Sequence, residues 1–125
     1  MRSSSFQYSH TIYPPAPIAK FIVRGPQAEE TLNGLLDSGS DATMIPLSIL
    51  VQIGARFQST DRIRTVGGGI QDVALYLVAI QIAGHNLYGI EAVATEYEDE
   101  IIIGRDVLNH LITILDGINS MTEIS

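Results

Sequence analysis

The chain has 125 residues, a net charge of −7, 46% apolar residues, no Trp and no Cys. One domain of that size can bury a core but is marginal for two lobes with a cleft between them, and the absence of Cys excludes disulfides, a thiol nucleophile and thiolate metal sites. Lys20 is the one Lys against fourteen acids, a balance that argues against nucleic acid or an anionic membrane surface as partner and that solubility explains most simply.

Residues 1–17, with Ser3-Ser4-Ser5 and later Tyr13-Pro14-Pro15-Ala16-Pro17, show neither strand nor helix periodicity and read as a flexible N-terminal arm, with the domain proper spanning 18–125. The N-terminus does not read as a secretion signal. The longest apolar stretch, Val73 to Ile80, is far shorter than the ~20 residues a bilayer requires, so a cytoplasmic protein is expected.

From Ile18 onward, short apolar runs alternate with turn residues, the pattern of an all-β domain rich in Ile, Leu and Val. Lys20 to Arg24 reads as a first strand ended by Gly25-Pro26, and Thr31 to Leu36 as a second that delivers Asp37 into a tight Asp-Ser-Gly turn. Pro46 can open a short helix through Val51 or Gln52, stopped by Gly54. Arg62 to Val66 and Asp72 to Ile82 read as a hairpin whose tip, Gly67-Gly68-Gly69, is rich in glycine. After the turn Ala83-Gly84-His85-Asn86 comes a strand from Leu87 to Thr95, then the acidic surface loop Glu96 to Glu100. Ile101-Ile102-Ile103 reads as a buried strand, Arg105 to His110 as one short C-terminal helix, and Leu111 to Leu115 as a strand with Ser120 to Ile124 pairing back across Asp116-Gly117.

The chemistry concentrates at Leu35-Leu36-Asp37-Ser38-Gly39. Two apolar residues run into a turn that pushes out a carboxylate with a hydroxyl beside it. That is an acid–base device in need of a second carboxylate, and the sequence writes this turn once, so a second copy of the chain is expected to supply the other. A calcium loop through Asp37, Ser38, Ser40 and Asp41 lacks the ligand count and the closing bidentate Glu. His10, His85 and His110 share no ligand spacing, so no metal site and no cofactor is expected.

In order and spacing, Leu35-Leu36-Asp37-Ser38-Gly39, Val66-Gly67-Gly68-Gly69-Ile70 and Ile102-Ile103-Gly104-Arg105-Asp106 resemble the retropepsin-like aspartic proteases, single-lobe relatives of pepsin, over residues 18 to 117. The resemblance implies a closed β-barrel-type domain, active as a two-fold homodimer, that hydrolyses peptide or protein substrates as an aspartic endopeptidase. It makes Asp37 the catalytic residue and Ser38, Gly39 and Ser40 its turn. Ser38 stands where Thr is more usual and keeps the hydroxyl that bonds across to the other subunit. The Ser40 hydroxyl is expected to donate to Asp37 and favour its ionised form. Asp41 and Arg105 match a partly buried pair that links the active-site loop to the C-terminal helix. Val66, Gly67, Gly68, Gly69 and Ile70 become the flap, with Ile70 its apolar contact over the peptide. Two departures stand out: Gln71-Asp72 replaces a second glycine pair, and residues 118–125 extend the C-terminus, so each subunit is expected to bring a hairpin to the interface. The alternative is a dimeric peptide-binding or scaffold module on the same fold that does not cut.

Overall fold

The computed structural model describes residues 3–64 and 67–125. Two sheets and two short helices make the fold of the described residues. In β2 (Ile18–Arg24) the residues Ala19, Phe21 and Val23 alternate inward, and β3 (Glu29–Leu36) returns against it in a continuous ladder from Arg24↔Glu29 to Ile18↔Leu35. Gly34 belongs in β3 because a Cβ there would stand 2.9 Å from Ile103 and 3.0 Å from Phe21, two core side chains that close over the strand.

The order of the larger sheet departs from sequence order. β8 (Ile102–Ile103) inserts between β3, to which it runs parallel, and β4 (Met44–Pro46), to which it is antiparallel. Beyond β4 lie β7 (His85–Thr95), β6 (Ile70–Ile82) and β5 (Arg56–Arg64). A further pairing of β2 with β6, through Ile22↔Gln81 to Arg24↔Ala79, closes the ring into a barrel and leaves β5 outside it. Inside sit Phe21, Ile45, Leu50, Ile80, Ile103 and Val107, all essentially without solvent exposure. Helix α1 (Leu47–Gln52) follows Pro46 directly and ends before Gly54, whose φ of 73° favours glycine. Helix α2 (Arg105–Leu108) is a single turn, shorter than the 105–110 span expected.

Three further elements differ from the sequence reading. Within the supposed arm, Ser4–Gln7 forms β1, paired with β10 (Met121–Ile124) in a three-stranded sheet whose other outer strand is β9 (Thr113–Asp116). Ser-Ser-Phe-Gln carries almost no hydrophobic signal, because its partner, nearly the whole chain away, supplies the pairing and only Phe6 packs on the core. β5 begins at Arg56, six residues before the expected start, and nearly all of its side chains are exposed, so no alternation marks it. β7 begins at His85, since the turn needs only Ala83 and Gly84, both at positive φ.

Candidate active site

Asp37 is placed by backbone, not by side-chain packing. The parallel ladder with β8 continues one residue past β3: Leu35 N–H donates to the Ile101 carbonyl at 3.0 Å and Asp37 N–H to the Ile103 carbonyl at 3.0 Å. The turn then closes with Ser40 N–H on the Asp37 carbonyl at 3.1 Å, while Gly39 N–H donates to Asp37 Oδ1 at 2.9 Å. A Cβ on Gly39 would stand 3.1 Å from that oxygen, so glycine leaves the carboxylate open to approach. Asp37 is half-buried and Ser38 is exposed at the tip.

Two expectations about the surrounding loop need correction. The Ser40 hydroxyl does not reach Asp37; it donates to the Ala42 carbonyl at 2.8 Å and stiffens the loop instead. A local acceptor two residues on captures a short side chain before any longer reach is possible. Arg105 does pair with Asp41, and its other nitrogen donates to the Ser38 carbonyl at 2.7 Å, but the pair is not partly buried: the Asp41 side chain is 87% exposed and that of Arg105 43%. Such a pair contributes little on its own.

The stronger tie lies beneath it. Thr43, with no solvent exposure, donates its hydroxyl to Asp106 Oδ1 at 2.8 Å and its N–H to Asp106 Oδ2 at 3.1 Å, and its hydroxyl accepts from Gly104 N–H at 3.2 Å. Asp106 Oδ1 also accepts the Val107 N–H at 3.0 Å, so one carboxylate holds the start of α2 and the exit of the active-site loop together. Arg105 N–H on the Ser40 carbonyl at 2.9 Å completes the seam. A Cβ on Gly104 would lie 2.6 Å from the Ala42 carbonyl carbon and oxygen, which is why the loop and α2 can meet only across a glycine. Sequence reasoning gave no role to Thr43 or Asp106. The one available signal was an Asp in the first turn of the expected helix, in need of N–H partners.

Opposite the turn stands the β5–β6 hairpin, its ladder running to Arg64↔Ile70. Gly67 and Gly68 have φ of 101° and 86°, conformations in which other residues are strained; Ile70 is 68% exposed, and the expected flap residue Val66 lies outside the described residues. Asp72 faces Arg62 across the ladder at 3.5 Å, an exposed pair that contributes little. Between turn and hairpin is a cleft of about 930 Å³. Asp37, Gly39, Ser40 and Asp41 line one wall, Ile63, Arg64 and Gln71 the other, and Met44, Leu75, Val93 and Ile102 give it an apolar floor. Among the described residues no group of three or more His, Asp or Glu is arranged to hold a metal ion, and no helix is long and apolar enough to cross a membrane.

Comparison with known proteins agrees with this geometry. The family described as aspartyl protease matches residues 20–107. No curated protein matches the sequence significantly. Among solved structures, a retropepsin-like aspartic protease from Rickettsia conorii superposes with a TM-score of 0.67 at 11% identity, covering 98% of this chain and 90% of that one. The EIAV protease in complex with the inhibitor HBY-793 superposes with a TM-score of 0.61 at 22% identity, covering 76% and 86%. The family match takes in the Asp-Ser-Gly turn, the hairpin opposite it and the strand that props the turn, and the fold agrees across the whole barrel: the chain belongs to the aspartyl protease family and has a retropepsin-like fold.

Proposed function

We propose that the protein is an aspartic endopeptidase whose site is completed by a second copy of the chain, each copy contributing Asp37. The observation that carries this reading is the single Asp-Ser-Gly turn, with its carboxylate fixed by backbone hydrogen bonds at the wall of an open cleft. One carboxylate cannot act as base and acid at once; two facing each other across a two-fold axis can. Aspartic proteases are the standard case of such a dyad sharing one proton, and the dyad titrates as a pair.

The ionised Asp37 takes a proton from a water held between the two carboxylates as the water oxygen bonds to the scissile carbonyl carbon, and the protonated Asp37 gives its proton to the carbonyl oxygen. The tetrahedral diol then collapses: the Asp37 that took the water's proton gives it to the nitrogen as the C–N bond breaks. The other Asp37 takes a proton from a diol hydroxyl as the carbonyl re-forms, leaving a carboxylic acid, an amine and a dyad that again holds one proton. No metal, cofactor or covalent intermediate enters. The floor of Met44, Leu75, Val93 and Ile102 suits apolar side chains flanking the bond, and closure of the hairpin, with Ile70 over the peptide, excludes water. The exposed Ser38 hydroxyl is free to bond across the axis to the other copy's turn.

The test is Asp37→Asn, which keeps the shape but cannot take the proton. Cleavage of an unstructured protein mixture should disappear while the dimer persists or tightens, since assembly no longer has to bring two carboxylates together and neutralise one of them. In the wild type, specific activity should fall on dilution through the dimer dissociation range. Cleavage by the Asn variant would remove Asp37 from the mechanism. A wild type that cuts nothing under any condition would leave the peptide-binding module as the function.

A further inference from the structure

The sheet that floors the cleft carries a second hollow on the same face. On β6, Val78, Ile80 and Ile82 point into the barrel, so Leu77 and Ala79 point out of it. They follow Leu75 of the cleft floor on the same side of the strand, about 7 and 13 Å farther along at ~3.3 Å per residue. With Tyr88, Gly89, Arg24 and Arg56 they line a groove of about 350 Å³. Tyr88 and Gly89 line the cleft as well, so the groove opens from the cleft's own wall. A bulge shapes that junction: between Val78↔Ile90 and Ile80↔Leu87, β7 sets Tyr88 and Gly89 against Ala79 alone, with Gly89 at a φ of 71°. The bulge leaves Tyr88 77% exposed while Ile90 beside it is buried, and a Cβ on Gly89 would meet nothing within 4 Å, so the junction is unobstructed. The charge there runs against that of the molecule. The chain has fourteen acids against seven Lys and Arg, yet the groove is lined by two Arg and no acid. Arg24 is held by Glu29 at 3.2 Å and by Gln81, whereas the exposed Arg56 makes no salt bridge among the described residues. Glu91 lines the cleft but not the groove, so the sign changes where the two meet.

We propose that this groove is an exosite for the substrate chain. Beyond the stretch held around the scissile bond, the substrate lays an apolar side chain on Leu77, Ala79 and Tyr88 and sets a neighbouring Asp or Glu against Arg56. The role rests on the reading of the protein as an endopeptidase and adds what the enzyme selects away from the bond. Continuity with the cleft identifies the occupant as the chain being cut, since a peptide leaving the cleft needs only a few more residues to reach Leu77. The uncommitted guanidinium of Arg56 sets the sign. An exposed charge pair adds little affinity, but the same site repels Lys and Arg, and selectivity follows from the difference. Tyr88 supplies a large, stiff contact surface at small entropic cost.

Cleavage profiling tests this without a known substrate. A library of synthetic peptides of unbiased sequence and about 16 residues, long enough at ~3.3 Å per residue to span cleft and groove, is incubated with the wild type, and the cut sites are read by mass spectrometry. Acids next to an apolar residue should be enriched about 3- to 5-fold at positions roughly four to seven residues from the bond. The enrichment should fade at about 1 M salt, where the Debye length is ~3 Å. Arg56→Glu should enrich Lys and Arg at those positions instead, while preferences next to the bond stay as in the wild type. Arg56→Gln, which drops the charge without reversing it, should remove the preference and gives a second variant if the reversal fails to fold. Wild-type cuts with no acid preference away from the bond, or a preference that both variants leave unchanged, overturn the exosite and leave the endopeptidase intact. If the wild type cuts nothing, the same library is passed over the immobilised protein. Retention of peptides carrying the apolar and acidic pair by the wild type, but not by Arg56→Glu, upholds the recognition while the endopeptidase reading falls; retention without that signature overturns both.

Discussion

Thr43→Val should cost more stability than removing the visible ion pair at the mouth of the site. Val keeps the shape of Thr43, a residue with no solvent exposure, but deletes the hydroxyl that donates to Asp106 at 2.8 Å and accepts from Gly104 N–H at 3.2 Å. A hydrogen bond to a charged group contributes about 1.5–3 kcal/mol, and a buried N–H left without its acceptor costs about 1–3 kcal/mol more. The sum, roughly 3–5 kcal/mol, is a large part of the ~5–15 kcal/mol that holds a typical domain together. Arg105→Ala removes an ion pair whose Asp41 end is 87% exposed, worth at most about 1 kcal/mol, and one hydrogen bond to the Ser38 carbonyl. Its expected cost is about 1–2 kcal/mol. Urea unfolding at fixed protein concentration measures both. With a slope of about 2 kcal/mol per molar, Thr43→Val should lower the midpoint by on the order of 2 M and Arg105→Ala by less than about 1 M, with slopes unchanged. Since Thr43 and Asp106 join α2 to the loop that carries Ser40 and Asp41, Thr43→Val should also lower kcat. A Thr43→Val midpoint within error of wild type, or an Arg105→Ala loss exceeding it, would refute the ranking.

Gly104→Ala is expected to destabilise by about 1–3 kcal/mol through overpacking, because the new Cβ meets the Ala42 backbone at 2.6 Å while the φ of −94° is open to Ala; thermal unfolding reports it, and an unchanged Tm would show that the loop yields freely. Ser40→Ala should leave the acid limb of the pH profile where it is, since the hydroxyl is spent on the Ala42 carbonyl, and a shift of that limb to higher pH would show that it reaches Asp37 after all. Asp116 is held below its ordinary carboxylate range first by the Asn119 side-chain amide and then by the Asn119 N–H, so the stabilisation it gives the β9–β10 turn is full at neutral pH and is lost as pH falls through the lowered value. Amide protection in that hairpin, measured relative to the intrinsic exchange rate at each pH, should fall in acid in the wild type, and Asp116→Ala should show the lower protection already at neutral pH.

The sequence alone determined the parts whose cause is local. Leu35-Leu36 before Asp-Ser-Gly, three glycines between two strand-like runs and an Ile triplet before Gly104 each carry their conformation in their own residues, through burial of consecutive apolar groups or the freedom of glycine at positive φ. From these the all-β class, the turn bearing Asp37, the hairpin and the order of the central elements were legible. What only the tertiary structure decided depends on partners far away in the chain. β1 is a strand because β10 lies beside it, not because Ser-Ser-Phe-Gln prefers to extend. Thr43 matters because Asp106, 63 residues on, is brought under it. Asp41 and Arg105 do meet, but the direction of the Ser40 hydroxyl and the depth of that ion pair are fixed by the surrounding backbone, and a sequence lists donors and acceptors without saying where they point.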